Sequence, residues 1–190
     1  MKDFFTPDYM FGTFAEVTPE FLQSIGVRAL LIDIDNTLAP YEQPDPDERI
    51  INWLAELEKN GIQAALVSNN GEERVERFNK PLFEAFGIFA YPNSHKPFAG
   101  TLECAMEAME VPHAETAMLG DQVLTDCFAG KHIGLRAIIV PPIKDKTNLF
   151  FRFKRFLERP FIRKYAKKNG YEEWMKFWKV KKIRKEAQGF

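Results

Sequence analysis

Apolar residues fall along this chain in short continuous runs that alternate with segments of helical spacing. Arg28-Ala-Leu-Leu-Ile-Asp-Ile-Asp35 is almost wholly apolar until its final acids, the pattern of a strand buried on both faces. From Pro46 to Asn60, Ile50, Ile51, Trp53, Leu54 and Leu57 recur at helical intervals, and Gly61 follows as a stop. Ile62 to Ser68 reads as a second strand, Gly71 to Phe86 as a helix interrupted near Pro81, and Ile88 to Tyr91 as a short third strand. Phe98 to Met109 predicts a helix, Thr116 to Leu119 a fourth strand, Asp121 to Ile133 another helix, and Leu135 to Val140 a closing strand before Pro141-Pro142. Residues 1–27 mix aromatic and polar positions without a clear period. Strands alternating with helices predict an α/β, Rossmann-like fold: a parallel sheet with helices on both faces and ligands at the carboxyl ends of the strands.

A chain of 190 residues with 45% hydrophobic content suffices for one sizeable core. Two cysteines exclude a disulfide scaffold and suit a reducing, cytoplasmic compartment, with Cys104 and Cys127 expected as small buried hydrophobes. Nowhere is there an uncharged apolar run long enough to span a bilayer, and Met1 to Phe14 lacks the apolar core of a secretion signal.

The net charge of −1 hides an asymmetry. Residues 1–143 hold 10 Lys/Arg against 22 Asp/Glu, whereas residues 144–190 hold 16 against 5. The chain therefore divides into a lead-in (1–27), a core (28–143) and a basic tail (144–190), and residues 150–190 add 11 aromatics. Such a tail meets something anionic: its own acidic body, a membrane surface or a nucleic acid. On a helical wheel Tyr171, Trp174, Met175 and Trp178 share an arc of about 100°. That face fits an interfacial helix at the inner side of a membrane, or one packed on the core, ahead of stacking on single-stranded nucleic acid.

The polar clusters sit where strands end. In Asp33-Ile-Asp-Asn-Thr37 two carboxylates two residues apart face the same side of an extended segment, and they repel unless a cation lies between them. Oxygen ligands favour Mg²⁺. Ser68 and Asn69 follow the second strand, Lys96 supplies a fixed positive charge, and Gly120-Asp121 adds a third carboxylate with Asp126 five residues on. Acids, a lysine and a hydroxyl at adjacent strand ends suit a metal and a phosphoryl group. His95 reads as a solvated loop residue, His113 and His132 show no ligand spacing, and Glu72-Glu-Arg-Val-Glu-Arg77 reads as a solvated helix face.

In order along the chain, Asp33-Ile-Asp-Asn-Thr37, Ser68, Lys96 and Gly120-Asp-Gln-Val-Leu-Thr-Asp126 resemble the four motifs of the haloacid dehalogenase superfamily of phosphohydrolases. More narrowly, Asp33 to Leu38, Val67-Ser-Asn-Asn70, Lys96-Pro97, Gly120-Asp-Gln122 with Thr125-Asp126, and the lead-in Phe5-Thr-Pro-Asp8 are similar to the YqeG-type phosphatases of subfamily IIIA. That bacterial group is itself similar to mitochondrial phosphatidylglycerophosphate phosphatases. The resemblance implies that Asp33 attacks phosphorus, that Asp35 is the general acid and base, and that Mg²⁺ binds Asp33, the main-chain carbonyl of Asp35, and Asp121. It also implies that Ser68, the main chain at Asn69 and Lys96 hold the transferring oxygens, while Asp126 braces the metal shell or Lys96 and Thr37 fixes the turn.

Only 33 residues separate Asp35 from Ser68, and 28 separate Ser68 from Lys96, which leaves no room for a cap domain. A capless member of this superfamily resembles those acting on large or surface-bound substrates, unless an oligomer supplies the lid. The expected activity is hydrolysis of a phosphomonoester, with a lipid headgroup, phosphatidylglycerophosphate, as first substrate. Nucleotides, nucleic-acid ends or a phosphoprotein are the alternatives, and an RNA- or ribosome-binding module with a vestigial site is the alternative from another class.

Overall fold

The computed structural model describes residues 3–144 and 149–170. Six parallel strands form one sheet: β1 (Tyr9–Met10), β2 (Ala29–Ile32), β3 (Gln63–Val67), β4 (Phe89–Tyr91), β5 (Thr116–Gly120) and β6 (Arg136–Ile139). Their order across the sheet is β1-β6-β5-β2-β3-β4. From β2 the chain steps outward through β3 and β4, then returns to the other side of β2 for β5 and β6. β2 is thus the switch point, where crevices open above the carboxyl ends of neighbouring strands. All four of its residues are buried, so a continuous apolar run was the correct signal there.

Among the described residues six α-helices connect and cover the sheet: α1 (Pro19–Ser24), α2 (Glu48–Lys59), α3 (Glu72–Phe86), α4 (Gly100–Met109), α5 (Phe128–His132) and α6 (Leu149–Asn169). Alternate residues of β2 serve opposite layers. Leu30 and Ile32 pack with Phe14, Leu22, Leu54, Leu57, Phe78 and Leu82 on the α1–α3 side, and Leu31 packs with Leu102, Met106, Met118 and Ala129 on the α4–α5 side. Each fully buried side chain of this kind contributes about 1.5–3 kcal/mol. A third cluster, Met10, Val123, Cys127, Ala137, Ile139 and Tyr165, seats α6 against β1 and β6.

Local chemistry explains most boundaries. α2 starts where Asp47 Oδ1 accepts from Ile50 N at 3.0 Å, and α3 ends at Gly87, whose φ of +65° suits a residue without Cβ. The expected interruption at Pro81 is absent: α3 continues through it, with Phe78 and Leu82 fully buried on either side. The lead-in is part of the fold. β1 pairs with β6, Thr18 caps α1, and Val17 O accepts from Trp53 Nε1 at 2.9 Å. In place of one helix over Asp121–Ile133 there is a π-helical turn, Val123–Cys127, leading into the short α5. Cys127 is buried as expected, but Cys104 is exposed on α4. The intervals between the polar clusters hold only α2 with β3 and α3 with β4, so the described residues include no cap domain. The aromatic arc from Tyr171 to Trp178 lies outside the described residues.

Candidate active site

The polar clusters meet at the carboxyl ends of β2, β3 and β5. Past β2 the chain turns sharply, with Asn36 at φ +66°, a conformation asparagine tolerates better than most residues. The turn brings Thr37 back so that its hydroxyl donates to Asp33 Oδ2 at 3.0 Å. The other oxygen, Oδ1, faces Lys96 Nζ at 2.6 Å. Lys96 is buried and also touches Asp126 Oδ1 at 2.8 Å and donates to Val67 O at 2.8 Å. Burial alone would lower the pKa of this ammonium, but the carboxylates of Asp126 and Asp33 outweigh it and keep the lysine charged.

Asn69 acts through its side chain on the lysine loop. Its Oδ1 accepts from Lys96 N at 2.7 Å and from the Ser94 hydroxyl at 2.8 Å, and its Nδ2 donates to Lys96 O at 3.0 Å. Lys96 is thereby aimed from behind. His95, beside it, is exposed. Gly120 has a comparable reason: a Cβ there would stand 2.3 Å from Asp126 Cγ, so only glycine lets Asp126 lie across the end of β5 toward Lys96.

The carboxylate of Asp35 is committed elsewhere. Its Oδ2 accepts from Asn70 Nδ2 at 2.6 Å and from the Ser68 hydroxyl at 3.3 Å, while Oδ1 pairs with Arg74 at 3.3 Å. Arg74 is a correction to the sequence reading, which left it on a solvated face; its side chain is only 18% exposed and also donates to Pro44 O.

Asp33, Asp121 and Asp126 instead converge, each offering an oxygen within 4.8 Å of the others. Burial, against the pull of Lys96, pushes the Asp33 carboxyl well above the usual range, and Asp126 and Asp121 add to it. Burial likewise pushes Asp121 up to about 6, against Arg155, with Asp126 adding. Asp121 Oδ1 is buried with no hydrogen-bond partner. Two oxygens on opposite sides of a Mg²⁺ stand about 4.2 Å apart. Three hard oxygen donors gathered within 4.8 Å of one another, mutually repelling and with one atom unsatisfied, fit a small divalent cation.

Asn70 stands in the Val67–Asn70 motif but had no role assigned to it, and sequence reasoning missed Arg74, Tyr41, Arg155 and Glu158. Tyr41 lines the site, and burial with the neighbouring Asp121, Asp35 and Asp33 charges holds its hydroxyl protonated far beyond neutral pH. Arg155 reaches in from α6 to the Asp121 carboxylate. Arg74, Tyr41, Arg155 and Glu158 carry no motif signal. The cavity among Asp33, Asp35, Ser68, Lys96 and Asp126 is small, about 50 Å³, with room for a phosphoryl group and little more. A larger, open cavity of about 430 Å³ lies at the other end of β6, lined by Asp3, Asp8, Lys131 and Arg136, and contains none of these residues.

A family model described as haloacid dehalogenase-like hydrolase matches residues 13–140. A curated relative, the probable phosphatase YqeG of Bacillus subtilis, is 33% identical over 174 residues, covering 92% of this chain and 98% of its own. Among solved structures, CbbY of Rhodobacter sphaeroides in complex with phosphate gives a TM-score of 0.49 at 17% identity, over 60% of this chain and 86% of its own. The cobalt-bound deoxy-D-mannose-octulosonate 8-phosphate phosphatase of Haemophilus influenzae gives 0.47 at 14%, over 79% and 97%. By the family match across two thirds of its length and the relative spanning nearly all of it, the chain belongs to the haloacid dehalogenase-like hydrolases, and it is a phosphatase of that family.

Proposed function

We propose that this phosphatase hydrolyses a phosphomonoester through an aspartyl-phosphate on Asp33, with Mg²⁺ as its cation and phosphatidylglycerophosphate as its substrate. The observation that carries the chemistry is Asp33 at a phosphoryl-sized cavity, one oxygen on the Lys96 ammonium and the other on Thr37. Asp33, Asp121 and Asp126 would hold the cation, with the main-chain carbonyl of Asp35 as a further ligand. When bound, Mg²⁺ supplies positive charge beside the phosphoryl oxygens.

The Asp33 carboxylate forms the bond to phosphorus as the bond to the leaving oxygen breaks. Lys96, the Ser68 hydroxyl and the main-chain N–H of Asn69 hold the equatorial oxygens, where charge spreads in the transition state. Asp35 delivers a proton to the leaving oxygen, then takes one from the water that cleaves the acyl phosphate. Asn70 and Arg74 fix the direction of its carboxylate through that exchange. Asp126 keeps Lys96 in place from the far side of its ammonium.

The substrate reading rests on three features: the capless site, the likeness to a YqeG-type relative over nearly the whole chain, and the outward face of α6. That face exposes Leu149, Phe153, Phe156 and Leu157. Arg152, Arg159 and Arg163 are exposed among them, and the sole acid of α6, Glu158, is buried on the inner side. Aromatic and basic side chains on one face favour an anionic lipid surface, which would hold a lipid phosphate at the site.

The deciding experiment is phosphate release by the full chain from phosphatidylglycerophosphate in mixed vesicles, nucleoside monophosphates and a phosphopeptide, with and without Mg²⁺. The reading expects Mg²⁺-dependent release, fastest from the lipid. Release from none of them would overturn the activity, and preference for a nucleotide or the peptide would overturn the substrate.

A further inference from the structure

We propose that Arg155 and Glu158 of α6 are positioning residues for the cation site, orienting Asp121 so that one of its oxygens is left for the metal. The inference rests on the reading of Asp121 as a cation ligand. Arg155 grips that residue twice: Nη1 donates to the main-chain oxygen of Asp121 at 2.7 Å, and Nη2 pairs with its Oδ2. A planar guanidinium bound to both the backbone and the carboxylate of one residue fixes the rotation of that carboxylate. Oδ1 is then the oxygen without a protein partner, buried and facing no donor.

A lone arginine in this place would oppose an incoming cation. Glu158 removes that conflict. Its side chain is 1% exposed, Oε2 accepts from Arg155 Nη1 at 2.9 Å and Oε1 accepts from Leu124 N at 3.3 Å. The pair carries no net charge, so it directs Asp121 while leaving the acidic cluster attractive to a metal.

The helix has other anchors. Tyr165 Oη accepts from Met10 N at 3.2 Å, Lys164 pairs with Asp3 at 2.7 Å, and Phe161 and Ile162 pack in the third apolar cluster. Buried ion pairs are poor stabilisers compared with apolar contacts, so stability alone gives little reason to bury one here. Groups one step behind metal ligands typically change metal affinity 10- to 100-fold when removed.

The test is calorimetric titration of Mg²⁺ and Mn²⁺ into the full chain without substrate, alongside thermal unfolding. R155M is expected to weaken metal binding about tenfold or more, R155K to recover part of the loss, and E158Q to weaken binding because the arginine charge is then uncompensated. Y165F, which loosens α6 elsewhere, is expected to lower Tm with metal affinity unchanged. Wild-type affinity in R155M, or equal weakening in Y165F, would overturn the proposal and leave α6 a packing element. If R155M fails to fold, wild-type affinity in both R155K and E158Q overturns it in the same way. Failure of the underlying reading looks different: the wild type would bind neither ion, or D121N would bind as the wild type does, and the proposal would fall with it.

Discussion

Asp33 and Asp35 stand two residues apart, yet the fold gives them different company. Asp33 meets an ammonium, a threonine hydroxyl and two further acids, whereas Asp35 meets a serine hydroxyl, an amide and a guanidinium. Carboxylates in unlike surroundings divide a reaction between them. Asp35→Asn should therefore slow esters with alkoxide leaving groups at least tenfold more than p-nitrophenyl phosphate, whose leaving group needs little protonation. Equal losses in kcat on both substrates would assign Asp35 to geometry alone. At this scale the sequence showed where polar groups gather: Asp33, Ser68 and Asp121 stand just past the apolar runs of β2, β3 and β5, and Lys96 stands five residues past β4, so their placement at one end of a parallel sheet was legible. Arg74 was not. A run such as Glu72 to Arg77 looks solvated in one dimension, and only the packing of α3 shows which guanidinium turns inward to Asp35.

Strands and helices follow from the chain where burial is two-sided and where it is weak they do not. β2 and β5 are buried throughout and their apolar runs were legible, whereas β1 is two residues long at a sheet edge and leaves almost no periodic trace. The segment after β5 also escapes periodicity. Asp126 N and Cys127 N both bond to Gln122 O, at 3.0 and 3.2 Å, and this widened turn sets the Asp126 carboxylate over Gly120, where Oδ2 accepts from Gln122 N at 3.0 Å. Helical spacing does not distinguish it from an ordinary turn. Gly120→Ala should force Asp126 away from Lys96 and cost about 1–3 kcal/mol, read as a lower urea midpoint with an unchanged m-value. A midpoint equal to the wild type would mean that Asp126 moves freely and does not brace the lysine.

On the scale of the whole molecule, the opposed charges of body and tail are partly resolved by contact. Arg155 pairs with Asp121 and Tyr165 Oη accepts from Met10 N, so the inner face of α6 belongs to the acidic body, while the exposed Lys164 reaches Asp3 from the outside. The charge pattern alone left both a docked and a membrane-facing tail open, because one helix can serve both with opposite faces. Among the described residues no helix is long and apolar enough to cross a membrane. The outer face of α6 predicts surface binding instead: full chain should co-sediment with anionic vesicles, and F153A with F156A should weaken that binding even at raised salt, since apolar insertion is insensitive to screening. Binding of the double variant equal to the wild type would leave those rings outside any lipid contact.

The claim on which the rest depends is that phosphorus is transferred to Asp33. Turnover of p-nitrophenyl phosphate in Mg²⁺, quenched in acid, reduced with borohydride and digested, tests it by mass spectrometry of the peptide that spans Ala29 to Thr37. An aspartyl-phosphate is reduced at the acyl carbon, so Asp33 should appear as homoserine in the wild type and be absent from D33N, which should also lose turnover. Steady hydrolysis with Asp33 unmodified, or homoserine at another acid, would contradict the account.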